Sequence, residues 1–140
     1  MNNMFILANE SKIKIHFFDF LAPIKGIYFV GVDMPPVIGL DKSLKENKTL
    51  LRSIMAEELG HHFTTIGDCI PRKFYNHSNR LYVSKVEYKA LRWAANYLIN
   101  DNDLKIAIQN GIHTPCELAE FFCVTSELIN IKLNLISSTK

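Results

Sequence analysis

The sequence predicts an α+β domain in which a small, mostly antiparallel three-stranded sheet packs on a long helix and is followed by a helical C-terminal part. Two observations predict this class. Apolar runs with strand-like spacing, separated by turn residues, fill the chain up to about residue 42, and helical three- and four-residue spacing follows. With 140 residues and 48% hydrophobic content, the chain can bury the core of a single domain spanning residues 1–140.

The predicted sheet region covers residues 1–42. In residues 12–20, isoleucine and phenylalanine alternate with lysine and histidine, as in a half-buried strand. Two further apolar runs occupy residues 27–32 and 37–40. Pro23 and Gly26 separate the first two runs, and a proline-containing turn separates the last two, so short connections and a compact sheet are expected.

Residues 43–100 are predicted to contain two long helices joined by a loop. The first helix begins near Ser43, where leucines and isoleucines start to recur at helical spacing, and the second runs from about residue 84 to 100 along an apolar stripe. Between them, residues 71–80 are polar, turn-rich and aperiodic, which indicates an exposed loop.

The C-terminal part, residues 101–140, is predicted to form three short helices. Asp101 or Asp103 can cap the first, and the pair Asn110-Gly111 ends it. Residues 114–117 read T-P-C-E, which is the spacing of a capping box with proline at the first helical position. The last helix starts near Thr125, and the final two helices have helix-turn-helix-like spacing.

That spacing raises DNA binding as a rival function. A recognition helix presents basic and amide side chains to bases and phosphates, but residues 126–136 offer one lysine, Lys132. Glutamates at positions 117, 120 and 127 would repel the DNA backbone. Direct nucleic-acid binding is therefore not expected, and packing or protein docking is the preferred interpretation of these helices.

Bulk composition points to a cytoplasmic protein. The formal charge is +2, from 16 basic and 14 acidic residues, so no charged face favours nucleic acid or an anionic membrane. The three cysteines form no Cys-x-x-Cys pair, which favours reduced thiols. The N-terminal apolar run is too short for a secretion signal, and no stretch approaches the roughly 20 apolar residues of a membrane span.

The segment Ala56–His62 reads A-E-E-L-G-H-H and differs at one position from the H-E-x-x-H signature of zinc proteases. Glu57 stands where the first histidine is expected, Glu58 at the position of the general base and His61 at the second ligand. Side chains four apart share a helix face, so Glu57 and His61 can converge on one ion. In the alternative register, with Glu58 and His62 as ligands, Leu59 would stand at the base position.

A catalytic zinc takes three protein ligands, and Glu87, on the edge of the second helix's apolar stripe, is the candidate for the third. The competing interpretation is a solvated acidic patch beside surface histidines, which is common on helices. Zinc is the expected metal. Manganese or iron is the alternative, because two carboxylates and one histidine form an oxygen-rich ligand set. Such a set leaves the ion less positive, so activity is expected at higher pH than in histidine-rich sites.

The chain resembles the ImmA/IrrE family of metallopeptidases over nearly its whole length. Residues Glu87–Ile99 read E-Y-K-A-L-R-W-A-A-N-Y-L-I and match that family's downstream helix at the glutamate, two alanines and the aromatic position. The resemblance implies a zincin-like motif helix, a metal site with His61 and Glu87 as ligands, and Glu58 as general base. Glu57 departs from the family pattern, in which a histidine is the first ligand.

The resemblance also implies a function. Peptidases of this type cleave helix-turn-helix repressors of mobile elements, such as prophages, or of stress regulons, and so relieve repression. The expected function is therefore a metal-dependent endopeptidase that acts as an anti-repressor. The alternative is a catalytically inactive relative that binds the repressor or senses a metal. Secondary candidates for substrate or outer-sphere contacts are His62, Tyr75, His77 and Tyr82.

Overall fold

A computed structural model describes residues 2–64 and 85–137 of the chain. The elements, in order, are α1 (Asn2–Glu10), β1 (Lys14–Phe18), β2 (Gly26–Phe29), β3 (Val37–Asp41), a 3-10 helix (Lys42–Glu46), α2 (Lys48–Thr64), α3 (Lys85–Leu98), α4 (Asp101–Gln109), α5 (Pro115–Phe122) and α6 (Ser126–Ser137). The predicted α+β class with a helical C-terminal part is confirmed. The predicted loop at residues 71–80 lies outside the described residues.

The sheet is mixed, whereas mostly antiparallel pairing was predicted. The strand order is β1-β3-β2, with β1 parallel to β3 and β2 antiparallel to it. The burial of β3 explains this order, since Ile38 and Leu40 are fully buried while β1 alternates between exposed and half-buried residues. The most deeply buried strand therefore takes the centre, and the alternating strand takes an edge.

Helix α1 was not predicted from the sequence. This helix has nine residues and carries no acidic residue in its first turn and no basic residue in its last. Met4 and Ala8, four residues apart, are its buried positions and join the core. The chain then turns through Lys12, which has a φ of 61°, and enters β1. Packing of its apolar edge on the core therefore stabilises α1, whose own sequence has few features that favour a helix.

The two predicted central helices are confirmed, and α2 lies at the centre of the fold. It contacts α1, β2, β3 and α3. Its residues from Ser53 to His62 are all buried, so this helix has no solvent-facing side over its last three turns before Thr64. The stretch of α2 from Ser53 to His62 is therefore enclosed by the sheet on one side and by helices on the other.

The C-terminal helices follow the predicted order, with one correction to a cap. The cap of α4 is Asn100, not Asp101 or Asp103, because its side-chain oxygen accepts hydrogen bonds from the amides of Asn102 and Asp103 at 2.8 and 3.2 Å. Asn100 has the extended backbone that a cap requires. Thr114 caps α5 as predicted and accepts from the Glu117 amide at 3.2 Å.

Lys132, the one lysine of the predicted recognition helix, points into the protein. It is 4% exposed, donates to the Asn96 side-chain oxygen at 2.8 Å and forms an ion pair with Asp101. These contacts tie α6 to α3 and to the start of α4. Its ammonium group is therefore engaged inside the fold and does not face a nucleic-acid phosphate.

The end of β3 is anchored by Asp41. Its carboxylate accepts hydrogen bonds from the Ser43 hydroxyl, from the Phe20 amide at 2.9 Å and from the Ser43 amide at 3.1 Å. Lys25 lies 3.8 Å away. These groups, with the Ser43 hydroxyl as the largest contributor, hold the pKa of Asp41 below its ordinary value of 3.8.

Asp41→Asn is therefore expected to lower the free energy of unfolding by about 1–3 kcal/mol at neutral pH, the usual range for losing hydrogen bonds to a charged group. Because the folded-state pKa is depressed, this stabilisation is present above the ordinary pKa and is lost as pH falls through the folded value. Urea unfolding at pH 7 and near pH 3 measures both. The control is Asp19→Asn, which alters an exposed ion pair with Lys42 in which the Asp19 side chain is 85% exposed, and which should change stability little. An equal loss of stability in both variants would contradict the anchoring role of Asp41.

Candidate metal centre

The structure brings together the three side chains predicted as metal ligands. Glu57 and His61 lie one turn apart on α2, and Glu87 lies in the first turn of α3. The His61 Nε2 atom is 3.9 Å from Glu57 Oε2 and 3.5 Å from Glu87 Oε1. Each residue offers one ligand atom, and the three atoms lie within 4.8 Å of one another. The spacing on the helix therefore produces a compact cluster in three dimensions.

The cluster is buried, which argues against a solvated acidic patch. His61 is fully buried and Glu57 is 3% exposed, while the Glu87 side chain is 17% exposed and forms the open edge. Taking carboxylates out of water is costly unless a positive charge or hydrogen bonds compensate. A divalent cation among these three groups would supply that compensation.

The approach of α3 to α2 depends on Gly60. A Cβ atom at this position would lie 2.4 Å from the backbone oxygen of Ala90, which is closer than such atoms can come. Ala90 is fully buried at this contact. Glu87 precedes Ala90 by one helical turn, so the close contact also brings the Glu87 carboxylate to His61. The close contact of Gly60 with Ala90 joins two helices, so the sequence spacing of these residues did not predict it.

The donor set and its dimensions fit a divalent ion. Zinc binds imidazole nitrogen and carboxylate oxygen at about 2.0–2.2 Å, so neighbouring ligand atoms in a tetrahedral site are roughly 3.3–3.5 Å apart. The distance from His61 to Glu87 already has this value, and the distance to Glu57 is slightly longer. Small side-chain movements would complete the site, in which one nitrogen and two oxygens are available.

Glu58, the predicted general base, is fully buried on α2 between the two ligands of that helix. It precedes His61 by three residues, a spacing that places it beside the ligand face. It is not one of the three clustered residues. Its place in the sequence, directly after the first ligand position, is the one that the signature gives to its base.

His62 contacts the sheet and is not part of the cluster. Its Nδ1 atom lies 2.7 Å from the hydroxyl of Tyr28 on β2, and its ring packs edge-on against Phe63. Burial lowers the pKa of His62, which favours the neutral ring. Tyr28 was not among the predicted site residues, although a tyrosine in a buried strand carries a hydroxyl that needs a hydrogen-bond partner. The Tyr28–His62 pair fixes the end of α2 against the sheet.

Three of the secondary candidates, Tyr75, His77 and Tyr82, lie outside the described residues. Within the described part of the chain, no helix is long and apolar enough to cross a membrane.

A helix with a carboxylate and a histidine four residues apart, joined by a glutamate from the next helix, offers the kind of donor set that metallopeptidases use for a metal. The family model of the IrrE N-terminal-like domain, Peptidase_M78, matches residues 8–134. The chain therefore belongs to this peptidase family. The comparisons with curated proteins and with solved structures found no match.

Proposed function

We propose that the protein is a metal-dependent endopeptidase that cleaves a helix-turn-helix transcriptional repressor and so relieves repression. The observation that carries the proposal is the cluster of Glu57, His61 and Glu87, with Glu58 fully buried at the position of α2 that follows Glu57. Membership of the peptidase family supports the reaction class. The repressor as substrate follows from the resemblance to ImmA/IrrE peptidases.

In this proposal the three clustered side chains hold the ion and Glu58 moves the proton. A bound divalent ion supplies Lewis-acid chemistry, since it polarises a peptide carbonyl and acidifies water. Glu58 accepts the proton of the attacking water and delivers it to the amine that leaves. The burial of Glu58 keeps bulk water away from this carboxylate, so the proton that it accepts is retained for the amine.

Zinc is the first metal that we propose, with Mn²⁺ or Fe²⁺ as alternatives. Affinity at a site of nitrogen and oxygen donors follows an order that favours zinc over both. A ligand set of two carboxylates and one histidine reduces the difference in affinity between zinc and manganese, because carboxylate ligands also suit manganese. The three protein ligands together neutralise the formal charge of a divalent ion.

His61→Ala is expected to lower zinc affinity at least about tenfold and to abolish repressor cleavage, since it removes the one nitrogen donor of the cluster. Metal content after zinc loading and dissociation constants from chelator competition measure the first effect, and cleavage of candidate repressors by the zinc-loaded protein measures the second. The matched control is His113→Ala, because His113 is an exposed histidine away from the cluster. Equal zinc binding by the wild type and His61→Ala would refute the metal site.

A second function, a catalytically inactive relative that binds the repressor or senses a metal, is favoured by one observation. Glu57 occupies the position at which the signature has its first histidine. In this case the wild type binds the repressor, measured by co-purification or calorimetry, and leaves it uncleaved under every metal tested. Repressor cleavage by the wild type that is lost on chelation would exclude this second function.

A further inference from the structure

A cavity of about 130 Å³ lies behind the metal cluster, between α2 and the start of α6. Its polar lining residues are Glu57, Ser53, Thr125 and Glu127, and Leu50 is among its apolar ones. Glu57 therefore borders both the cluster and this cavity. The volume is large enough for water, which needs polar partners in its walls, and the serine, threonine and glutamate side chains provide them.

The hydroxyl of Ser53 has a defined role in this wall. Ser53 is 4% exposed, and its oxygen accepts a hydrogen bond from the Thr125 amide at 3.0 Å. A serine hydroxyl carries one donor hydrogen besides its acceptor sites. Among the described residues the oxygen of Ser53 makes this one hydrogen bond, as an acceptor. Its hydrogen is therefore available to the cavity that Ser53 shares with Glu57.

We propose that Ser53 is a positioning residue for Glu57, donating its hydroxyl hydrogen to the Glu57 carboxylate through water in this cavity. Ser53 precedes Glu57 by four residues, so both lie on one helix face with Cβ atoms about 5–6 Å apart, a span that one water bridges. Carboxylates that bind metals are usually held by such outer hydrogen bonds, whose loss costs about 10–100-fold in metal affinity. The inference rests on the proposed role of Glu57 as a metal ligand.

The same contacts connect the metal cluster to the C-terminal helices. Arg52, next to Ser53, donates from Nε to the Cys123 carbonyl at 3.1 Å and from Nη2 to the Phe122 carbonyl at 3.3 Å. These bonds dock the turn between α5 and α6 on α2, and this docking places the Thr125 amide on Ser53. Ser53 is therefore held between the C-terminal helices, through the Thr125 amide, and the cavity that it shares with Glu57.

The test measures Zn²⁺ dissociation constants by chelator competition for Ser53→Ala in the wild-type and Glu57→Ala backgrounds. In the wild-type background we expect affinity to fall about tenfold. In the Glu57→Ala background we expect no further change, because Ser53 acts through Glu57. Ser53→Thr keeps the hydroxyl and should restore most of the affinity. Urea unfolding of each variant records any loss of stability separately.

The outcomes separate this inference from the proposed function. If the wild type does not bind zinc, both the proposed function and the positioning role of Ser53 are wrong. If the wild type binds zinc and Ser53→Ala binds it equally tightly, only the positioning role is wrong. Equal losses in the two backgrounds mean a purely structural role and also overturn it. If Ser53→Ala does not fold, Leu50→Phe fills the cavity and keeps the hydroxyl; its affinity should fall similarly, and an unchanged affinity overturns the proposal.

Discussion

Glu58→Gln is expected to reduce repressor cleavage by about 100- to 10,000-fold, the usual contribution of a general base. Glutamine has nearly the same shape as glutamate but cannot accept the proton of the attacking water. Glu58 is not one of the clustered residues Glu57, His61 and Glu87. Zinc binding should therefore be retained, because Glu58 is not one of the three clustered side chains and glutamine keeps its volume.

The measurement is single-turnover cleavage of the repressor by zinc-loaded protein, with the zinc dissociation constant determined on the same samples. Glu46→Gln is the matched control, since Glu46 is an exposed glutamate at the end of the 3-10 helix. Cleavage should be unchanged in this control. If Glu58→Gln cleaves at the wild-type rate, Glu58 is not the base, and if it loses zinc as well, its role is to support the metal cluster.

Much of the helical structure was predictable because its signals are local. The apolar stripe of α3 and the recurring leucines of α2 follow helical periodicity, and Thr114-Pro115 marks the start of α5 chemically. The pairing of Glu57 with His61 is local in the same sense, since four residues make one turn. These predictions needed only the geometry of a single helix.

The sheet shows where local signals end. Each of the three strands was located within a few residues, but their order depends on which strand the whole fold buries most deeply. The parallel pairing of β1 with β3 joins segments about 20 residues apart, and no turn signal specifies it. The nine-residue α1 was missed for a related reason, because packing of Met4 and Ala8 on the core stabilises it.

The same distinction applies to the candidate site. Its ligands were visible as residue types, whereas the features that position them depend on contacts between elements. Gly60 allows α3 to approach, Tyr28 holds His62 from the sheet, and the Thr125 amide contacts Ser53 from the far end of the chain. None of these contacts has a fixed spacing in the sequence, so the sequence alone does not predict them.

Glu57→His is expected to raise the preference of the site for zinc over manganese by at least about tenfold. The change replaces one carboxylate oxygen with an imidazole nitrogen, and nitrogen donors suit zinc while carboxylates suit manganese. It also restores the complete H-E-x-x-H signature at residues 57–61. Dissociation constants for Zn²⁺ and Mn²⁺, measured by competition on one preparation, give the ratio without reference to activity.

Glu57→Gln is the matched control for that change, because it removes the charge and offers a poorer ligand at nearly constant volume. It should weaken both metals, whereas the histidine variant should strengthen zinc alone. If all three proteins bind zinc equally, Glu57 is not a ligand. Repressor cleavage by the same proteins then separates the two proposed functions, because an inactive relative should gain cleavage only in Glu57→His, while an active peptidase cleaves with its own glutamate in place.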